Sequence, residues 1–397
     1  MNKEILNTGA QNFISENLNT DIMSVLLQKP QFAGISQKEL AEQIEAKNKC
    51  LHKLPKWHNT PLVYFPNKLN IEQTSSEKTA TYKSSLFKGK QAIDITGGFG
   101  VDTYYFSKHF EQVFHCEINE RLSEIAAHNF NVFEAKNIIS IKGNGVEYIL
   151  NSNTTYDLIF VDPSRRNDSK EKVFFLNDCL PNIPLHVDEL LKKTDRILIK
   201  TSPLLDISTG LKELKFTTEI HVVAVQNEVK ELLWILEKKS PQKTRVTTVN
   251  ITKKKDNIFV FYLEEERENE ASFSTPLEYL YEPNSAILKA GAFKSVSNHY
   301  KLLKLHEHSH LYTSHNLIDF PGRVFKINEV IPYSKKAIQK LKITKANITT
   351  RNFKEPVSSL RKKYKIKDGG DTYLFFTTNS NNESIMINCS KIDQPLL

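Results

Sequence analysis

The stretch from Gln91 to Asp102, Gln-Ala-Ile-Asp-Ile-Thr-Gly-Gly-Phe-Gly-Val-Asp, constrains this chain more than any other. It opens as a short apolar run with β-branched Ile93, Ile95 and Thr96, which suits a buried strand. Gly97, Gly98 and Gly100 then remove the Cβ atoms that would hold a backbone away from a ligand. Val101 to Phe106 reads as the start of a helix. Strand, glycine turn and helix in that order form a nucleotide cradle at the first crossover of an open α/β sheet. Such a turn suits many ligands, so the residues that follow it must narrow the choice.

From residue 90 onward, strand and helix patterns alternate. Strands are expected at 91–96, 113–116, 138–142, 158–162, 196–200, 220–225 and 258–263, with helices such as 121–133 between them. Seven strands joined by crossovers predict an α/β fold with an open, largely parallel, Rossmann-like sheet. The polar stretch 238–255 reads as a connection, which makes the last two strands an antiparallel edge pair. Asn227 to Leu232 reads as a helical or turn segment near the substrate mouth.

Ligands of such sheets bind beyond the carboxyl ends of the strands, so those ends are read together. The first strand ends in the cradle, Asp94 to Gly100. The second ends in Glu117, whose carboxylate can bridge two ribose hydroxyls. The third ends in Lys142-Gly143-Asn144-Gly145, where the Asn144 amide can face an adenine amino group. The fourth ends in Asp162-Pro163-Ser164-Arg165-Arg166, and Lys200-Thr201-Ser202-Pro203 after the fifth lies on the same side. A dinucleotide would want G-x-G-x-x-G, but Thr103 stands in the last place and the Asp162-Pro163 loop is left without a role. S-adenosylmethionine needs carboxylate and backbone contacts instead, which Asp94, the glycines and Glu117 can supply.

The flanks differ in character. Residues 1 to 70 read as a small helical domain, with a capping box at Ser36-Gln37-Lys38-Glu39, a shorter helix at 21–28 and a Pro-rich exit from Pro55. Residues 72–83 read as a lead-in helix, with folding over a cofactor as the alternative. After the acidic linker Glu264 to Glu268, helices are expected near 286–293 and 334–341, and a closing hairpin at 372–377 and 384–389. From Glu282 onward there are 19 Lys and Arg against 9 Asp and Glu, while the preceding residues hold 35 against 37. The whole positive surplus therefore belongs to the C-terminal part, as expected of a module for a polyanion. His306, His308, His310 and His315 read as alternating along a strand rather than as a metal site. Four scattered cysteines without a C-x-x-C pair speak against disulfides and zinc, and predict a reduced, cytoplasmic setting. No apolar run reaches the length of a membrane helix.

Over about residues 90 to 265, Asp94 to Gly100, Glu117, Asn144 and Asp162-Pro163 resemble the class I, seven-stranded S-adenosylmethionine-dependent methyltransferases. More narrowly, the chain is similar to bacterial methyltransferases with a C-terminal THUMP-like domain. That likeness rests on Asp162 to Arg166, Tyr281-Glu282-Pro283-Asn284, Phe320-Pro321-Gly322-Arg323 and Lys367-Asp368-Gly369-Gly370-Asp371. The resemblance implies S-adenosyl-L-methionine as cofactor, held by Asp94, Thr96, Gly97, Gly98, Phe99, Gly100, Asp102, Glu117, Ile118, Asn144, Gly145 and Asp162. It also implies a methyltransferase domain at 71–268, a small ferredoxin-like segment at 269–320 and a THUMP-like RNA-binding domain at 321–397. Asp162-Pro163 matches the loop of enzymes that methylate amino groups of bases, but the second Pro and the aromatic residue of that loop are missing. Arg165 or Arg166 can instead stack on a base or hold a phosphate. Pyrimidine C5 chemistry would need a cysteine in this loop, and Cys179 falls in the following, helical stretch. The expected activity is methylation of a base in structured RNA, rRNA or tRNA, with Asp162, Pro163, Arg165 and Arg166 at the reacting end. An idle RNA-binding protein that keeps the cofactor fold, and a methyltransferase for a protein or small molecule, are the competing readings.

Overall fold

Three helices, α1 (Thr8–Glu16), α2 (Ile22–Leu26) and α3 (Gln37–Lys53), open the chain, each started by a side-chain cap. Asn7 accepts from the Ala10 amide and Asp21 from the Ser24 amide. Ser36 and Glu39 form the expected capping box. Pro55 takes the first turn of α4 (Pro55–Asn59), where its missing N–H costs nothing. α5 (Lys68–Gln73) and α6 (Glu77–Ser85) follow. The structure is a computed structural model and describes residues 1–165, 175–239 and 242–392. It falls into two units, Met1–Thr218 with Leu232–Ser240, and Glu219–Glu231 with Pro241–Leu397.

In the first unit the expected alternation appears as β1 (Gly89–Asp94), α7 (Val101–Phe106), β2 (Phe110–Glu117), α8 (Glu120–Val132), β3 (Ile138–Lys142), α9 (Gly145–Asn151), β4 (Leu158–Val161) and β5 (Arg196–Thr201). β6 (Thr217–Val225), most of which belongs to the second unit, and β7 (Glu228–Glu237), whose residues from Leu232 on belong to the first, come next. The strand order here is β3-β2-β1-β4-β5-β7, parallel throughout except that β7 runs antiparallel to β5. This is the expected Rossmann-like sheet, with the later strand set beside the fifth. One apolar core runs from Ile5 through Trp57 to Phe130, so the N-terminal helices pack on the cradle helix. Trp57, 1% exposed, meets Phe99, Tyr104 and Phe133 there. The Asn129 amide accepts from Tyr64 N and donates to Tyr64 O, both at 2.9 Å, and holds the segment in between. Trp57→Ala is expected to lower the stability of this unit by about 3–5 kcal/mol, read as a lower urea midpoint at unchanged m-value.

Two sequence expectations need correction. Asn227 to Leu232 is not helical: Gln226 and Asn227, at φ 51° and 64°, make the turn of the alternative reading, and it leads straight into β7. The stretch 238–255 is not merely a connection, because Arg245–Ile251 forms β8. In the second unit β6 pairs in parallel with β8, and β9 (Asn257–Tyr262) runs antiparallel to β8. The expected pairing of 220–225 with 258–263 therefore does not form, since β8 stands between them.

The rest of the second unit is an α+β module. Its sheet has the order β11-β12-β10-β13-β16-β15-β14, built from β10 (Tyr279–Pro283), β11 (Leu303–Lys304), β12 (Tyr312–Ser314), β13 (Gly322–Pro332), β14 (Asn347–Arg351), β15 (Thr372–Thr378) and β16 (Ser384–Ile392). Helices α10 (Ser285–Ala290), α11 (Phe293–Tyr300), α12 (Lys335–Lys340) and α13 (Val357–Tyr364) accompany it. Along β15 the side chains alternate as a two-faced strand requires: Leu374 and Phe376 join Ile338 and Leu360, while Phe375 joins Leu280 and Phe325. The closing hairpin pairs β15 with β16 as expected. The histidines do not lie along a strand: His306 and His308 occupy the turn after β11, and His310 has φ 52°. Among the described residues no helix is long and apolar enough to cross a membrane.

Candidate active site

The carboxyl ends of β1, β2, β3 and β4 open into one cavity of about 960 Å³. Asp94, Thr96, Gly97, Gly98, Phe99, Asp102, Glu117, Ile118, Asn144, Gly145, Asp162 and Pro163 line it. Gly100 does not. A Cβ there would fall 2.4 Å from the Phe130 ring, so its bare backbone lets α7 pack on α8. Arg165 pairs through its backbone with Cys179, in a two-residue ladder that replaces the helix expected around Cys179. The same ladder pairs Ser164 with Leu180 and brings Leu180 and Pro181 to the cavity. Arg166 lies outside the described residues.

The glycine turn is held from below and from the side. Gly98 has φ +55°, and its N–H donates to Glu117 Oε2 at 2.8 Å. Glu117 Oε1 accepts from Asn119 N at 2.7 Å, so the carboxylate is fixed at the end of β2 with lone pairs left for a diol. Under the turn, His115 packs so tightly that a Cβ on Gly97 would meet its ring at 2.3 Å. Burial pushes His115 down to about 4, which keeps it neutral, and its Nε2 lies 3.3 Å from Gly98 O. Asn144 caps α9: its Oδ1 accepts from Val146 N and its Nδ2 donates to Glu147, each at 3.0 Å. Its amide is thus turned to the helix rather than held out for an adenine. Ile118 is 72% exposed and offers the apolar surface at this end.

Charge gathers on the other side of the turn. Asp94, 2% exposed, accepts from Thr96 N at 3.0 Å and from Thr103 Oγ1 at 2.8 Å. Burial pushes it up to about 7; the threonine donors oppose this and the charges of Asp102 and Asp162 add to it. Asp102 is also buried, which by itself raises a carboxyl, yet the Lys83 and Lys200 cations outweigh burial and hold it below its ordinary value. Lys83, fully buried, lies 3.2 Å from Asp102 and 3.1 Å from Ser75 Oγ, and Ser75 donates to Asp102 at 2.7 Å. The lead-in segment is thereby tied to the cradle, and Asn70, Gln73 and Thr74 line the cavity. The alternative reading of that segment, folding over the ligand space, is what the geometry favours. Asp162 N donates to Thr96 Oγ1 at 2.7 Å, and Lys200 pairs with Asp162 Oδ2.

Lys83, Ser75 and His115 carry no sequence signal, since a lysine in a polar stretch reads as exposed and a histidine in a strand as core. Lys200 stood in a segment expected near substrate, without a partner assigned. Among the described residues no group of three His, Cys, Asp or Glu is arranged to hold a metal ion.

Asp94 gives this site a pH signature. Its folded pKa lies above its unfolded one, so its contribution to stability is full below about pH 4 and is lost as pH rises to about 7. The melting temperature of Asp94→Asn is expected to gain on wild type across that window and to keep that gain, running parallel to wild type, above it.

The donor set decides between the two cofactors. A pyrophosphate at this turn would face the Glu117 carboxylate together with Asp94, while Lys83 and Lys200 are taken up in pairing Asp102 and Asp162, so the lining repels it. A sulfonium carrying an ammonium group is attracted by the same carboxylates. The space also fits: Gly98 lines the cavity, and a Cβ there would meet nothing nearer than Thr96 O at 3.8 Å. In such a fit Glu117 and Ile118 would hold the adenosine, and Asp94 with the glycine turn the amino acid moiety.

Known proteins agree with this geometry. A family profile described as RNA cap guanine-N2 methyltransferase matches residues 89–266, one described as a ferredoxin-like domain matches 279–321, and one described as THUMP domain-like matches 322–391. The crystal structure of a methyltransferase-family protein from Porphyromonas gingivalis W83 is 33% identical, covers 98% of this chain and 99% of its own, and superposes with a TM-score of 0.89. A class I S-adenosylmethionine-dependent methyltransferase-family protein of Listeria monocytogenes is 15% identical over 60% of this chain and 83% of its own, at a TM-score of 0.36. TrmK of M. capricolum, solved with S-adenosyl-homocysteine, is 16% identical over 41% of this chain and 70% of its own, at 0.31. No curated protein matches the sequence. By its end-to-end likeness to the Porphyromonas protein, its cradle and its C-terminal module, this chain belongs to the class I S-adenosylmethionine-dependent methyltransferases that carry a C-terminal THUMP-like domain.

Proposed function

We propose that this enzyme methylates an exocyclic or ring nitrogen of a base in structured RNA, rRNA or tRNA. The observation that carries the reading is Asp162-Pro163 at the cavity, with Asp162 Oδ2 paired to Lys200 and Oδ1 accepting no hydrogen bond among the described residues. S-adenosylmethionine supplies an activated methyl group when bound. The chain's own residues have the task of aiming the acceptor. An amino N–H can donate to Asp162 Oδ1 and another to the Pro163 carbonyl, which turns the nitrogen lone pair toward the methyl carbon. Thr96 fixes the Asp162 backbone and Lys200 its carboxylate, so the acceptor pair is rigid. Positioning of this kind supplies most of the rate in such a transfer. Leu180, Pro181 and Leu204 add apolar walls beside it, suited to the faces of a planar base.

RNA as substrate is supported by charge. Residues 322–391 hold 15 Lys and Arg against 5 Asp and Glu, a surplus of ten in one small module. Cations so concentrated favour phosphate backbones. In this reading residues 1–70 are a helical domain, 71–268 the methyltransferase domain, 269–320 a ferredoxin-like segment and 321–397 the RNA grip, in a cytoplasmic protein.

The test is a partition of label. Wild-type protein, tritiated-methyl S-adenosylmethionine and deproteinised total RNA are expected to give label that is acid-precipitable and released by RNase. Label released only by protease, or found only in small molecules, would remove RNA as substrate.

A further inference from the structure

Tyr281-Glu282-Pro283-Asn284 and Phe320-Pro321-Gly322-Arg323, far apart in sequence, meet in the second unit, where β10 and β13 pair with Glu282 opposite Arg323. The strands approach so closely that a Cβ on Gly322 would lie 2.1 Å from the Glu282 carbonyl oxygen. The Glu282 side chain is 4% exposed and takes a different arginine on each oxygen. Oε2 accepts from Arg323 Nε at 2.6 Å and also from Nη2, while Oε1 accepts from Arg351 Nη2 at 2.9 Å. Thr349 Oγ1 lies 3.5 Å from Arg323 Nη2, and the Phe325 ring stands 5.5 Å from the Arg323 guanidinium.

This cluster is short of acceptors. Two guanidinium groups on one carboxylate leave one positive charge over, and the two side chains are still 39% and 35% exposed. Among the described residues neither Nη1 has an acceptor, and Arg351 Nε is buried without one. His310 Nδ1 is buried and unpartnered as well. Burial, then Lys304, Arg351 and His308, push His310 down to about 4, and no carboxylate is among the charges acting on it. An ion pair serving only to tie strands together would match its donors with acceptors. Here a buried carboxylate holds Nε and Nη2 of Arg323 and Nη2 of Arg351, and leaves further N–H donors on two partly exposed guanidinium groups, the kind of donors that the oxygens of a phosphate take up.

We propose that Arg323 and Arg351, aligned by the buried Glu282, form a clamp for a phosphodiester of the RNA substrate. The clamp rests on the RNA reading above and adds the site at which the module registers the backbone. Contacts of this class set position without reading sequence, so the clamp orients the RNA and leaves the choice of base to the cavity.

Binding of fluorescently labelled, unfractionated tRNA to the full chain over a salt series tests it. Arg323→Gln and Arg351→Gln are each expected to weaken binding about tenfold and to reduce the slope of log K against log salt by about 0.9. Arg351→Lys keeps the charge and the Glu282 pair but loses the second N–H edge. It is expected to bind several-fold more weakly at unchanged slope, and it serves where the Gln variants fold poorly. Variants that lower the melting temperature yet leave affinity and slope at wild-type values would make the cluster purely structural and overturn the clamp. No binding of tRNA or total RNA by wild type would remove the RNA reading itself, a different outcome from binding that the variants leave untouched.

Discussion

Gly98→Arg is expected to abolish binding of S-adenosylmethionine, a loss of more than about a hundredfold, while the protein stays folded. Two effects add. Gly98 sits at φ +55°, where a side chain costs roughly 1–2 kcal/mol. Gly98 lines the cavity together with Asp94 and Glu117, and a Cβ there meets nothing nearer than Thr96 O, so a long side chain has room to occupy the ligand space. Because the residue lies at the surface of a cavity and not in the core, the melting temperature should fall by only a few degrees. Equilibrium dialysis with labelled donor checks the first statement and differential scanning fluorimetry the second. Donor binding retained within a few-fold would mean that the cradle is not the donor site.

Asp162→Ala is expected to have the second large effect, on turnover and not on donor affinity. The variant removes the oxygen proposed to receive the acceptor N–H and takes away the carboxylate that Lys200 pairs with. Loss of that aim is worth about a hundredfold or more in kcat, on the scale by which small misplacements slow a positioned reaction. Asp162→Asn keeps one acceptor oxygen and should fall between the two. Single-turnover methylation with saturating donor separates the step from binding. A kcat reduced less than about threefold would move the acceptor elsewhere in the cavity.

How much of this was legible in the sequence depends on whether a residue's neighbours in the chain are also its partners in space. The cradle was legible because strand, glycine turn and helix are contiguous, and the capping box at Ser36 for the same reason. Glu117 and Asp162 followed from their places at strand ends. Lys83, Ser75 and His115 were not legible, because their partners Asp102 and Gly97 come from other elements. β7 was hidden by its turn: Gln226 and Asn227 take left-handed conformations without a glycine to signal them. β8 is buried almost throughout, yet its sequence Arg-Val-Thr-Thr-Val-Asn-Ile does not alternate and is flanked by lysine-rich stretches, which made it read as a polar link. Gly100 looked like cradle and proved to be packing, since spacing cannot tell which face of a turn meets a helix. The Glu282 cluster was visible only as two short motifs, joined by strand pairing that neither motif encodes.

The most direct measurement is mass spectrometry of nucleosides after reaction of the wild-type protein with RNA and a deuterated-methyl donor. The predicted result is a deuterated methyl group on the nitrogen of one base, absent when Asp162→Ala replaces wild type. A deuterated methyl group on ribose, on a base carbon or on no nucleoside, from a protein that binds its donor, would contradict the assignment of Asp162-Pro163 as the nitrogen-aiming pair.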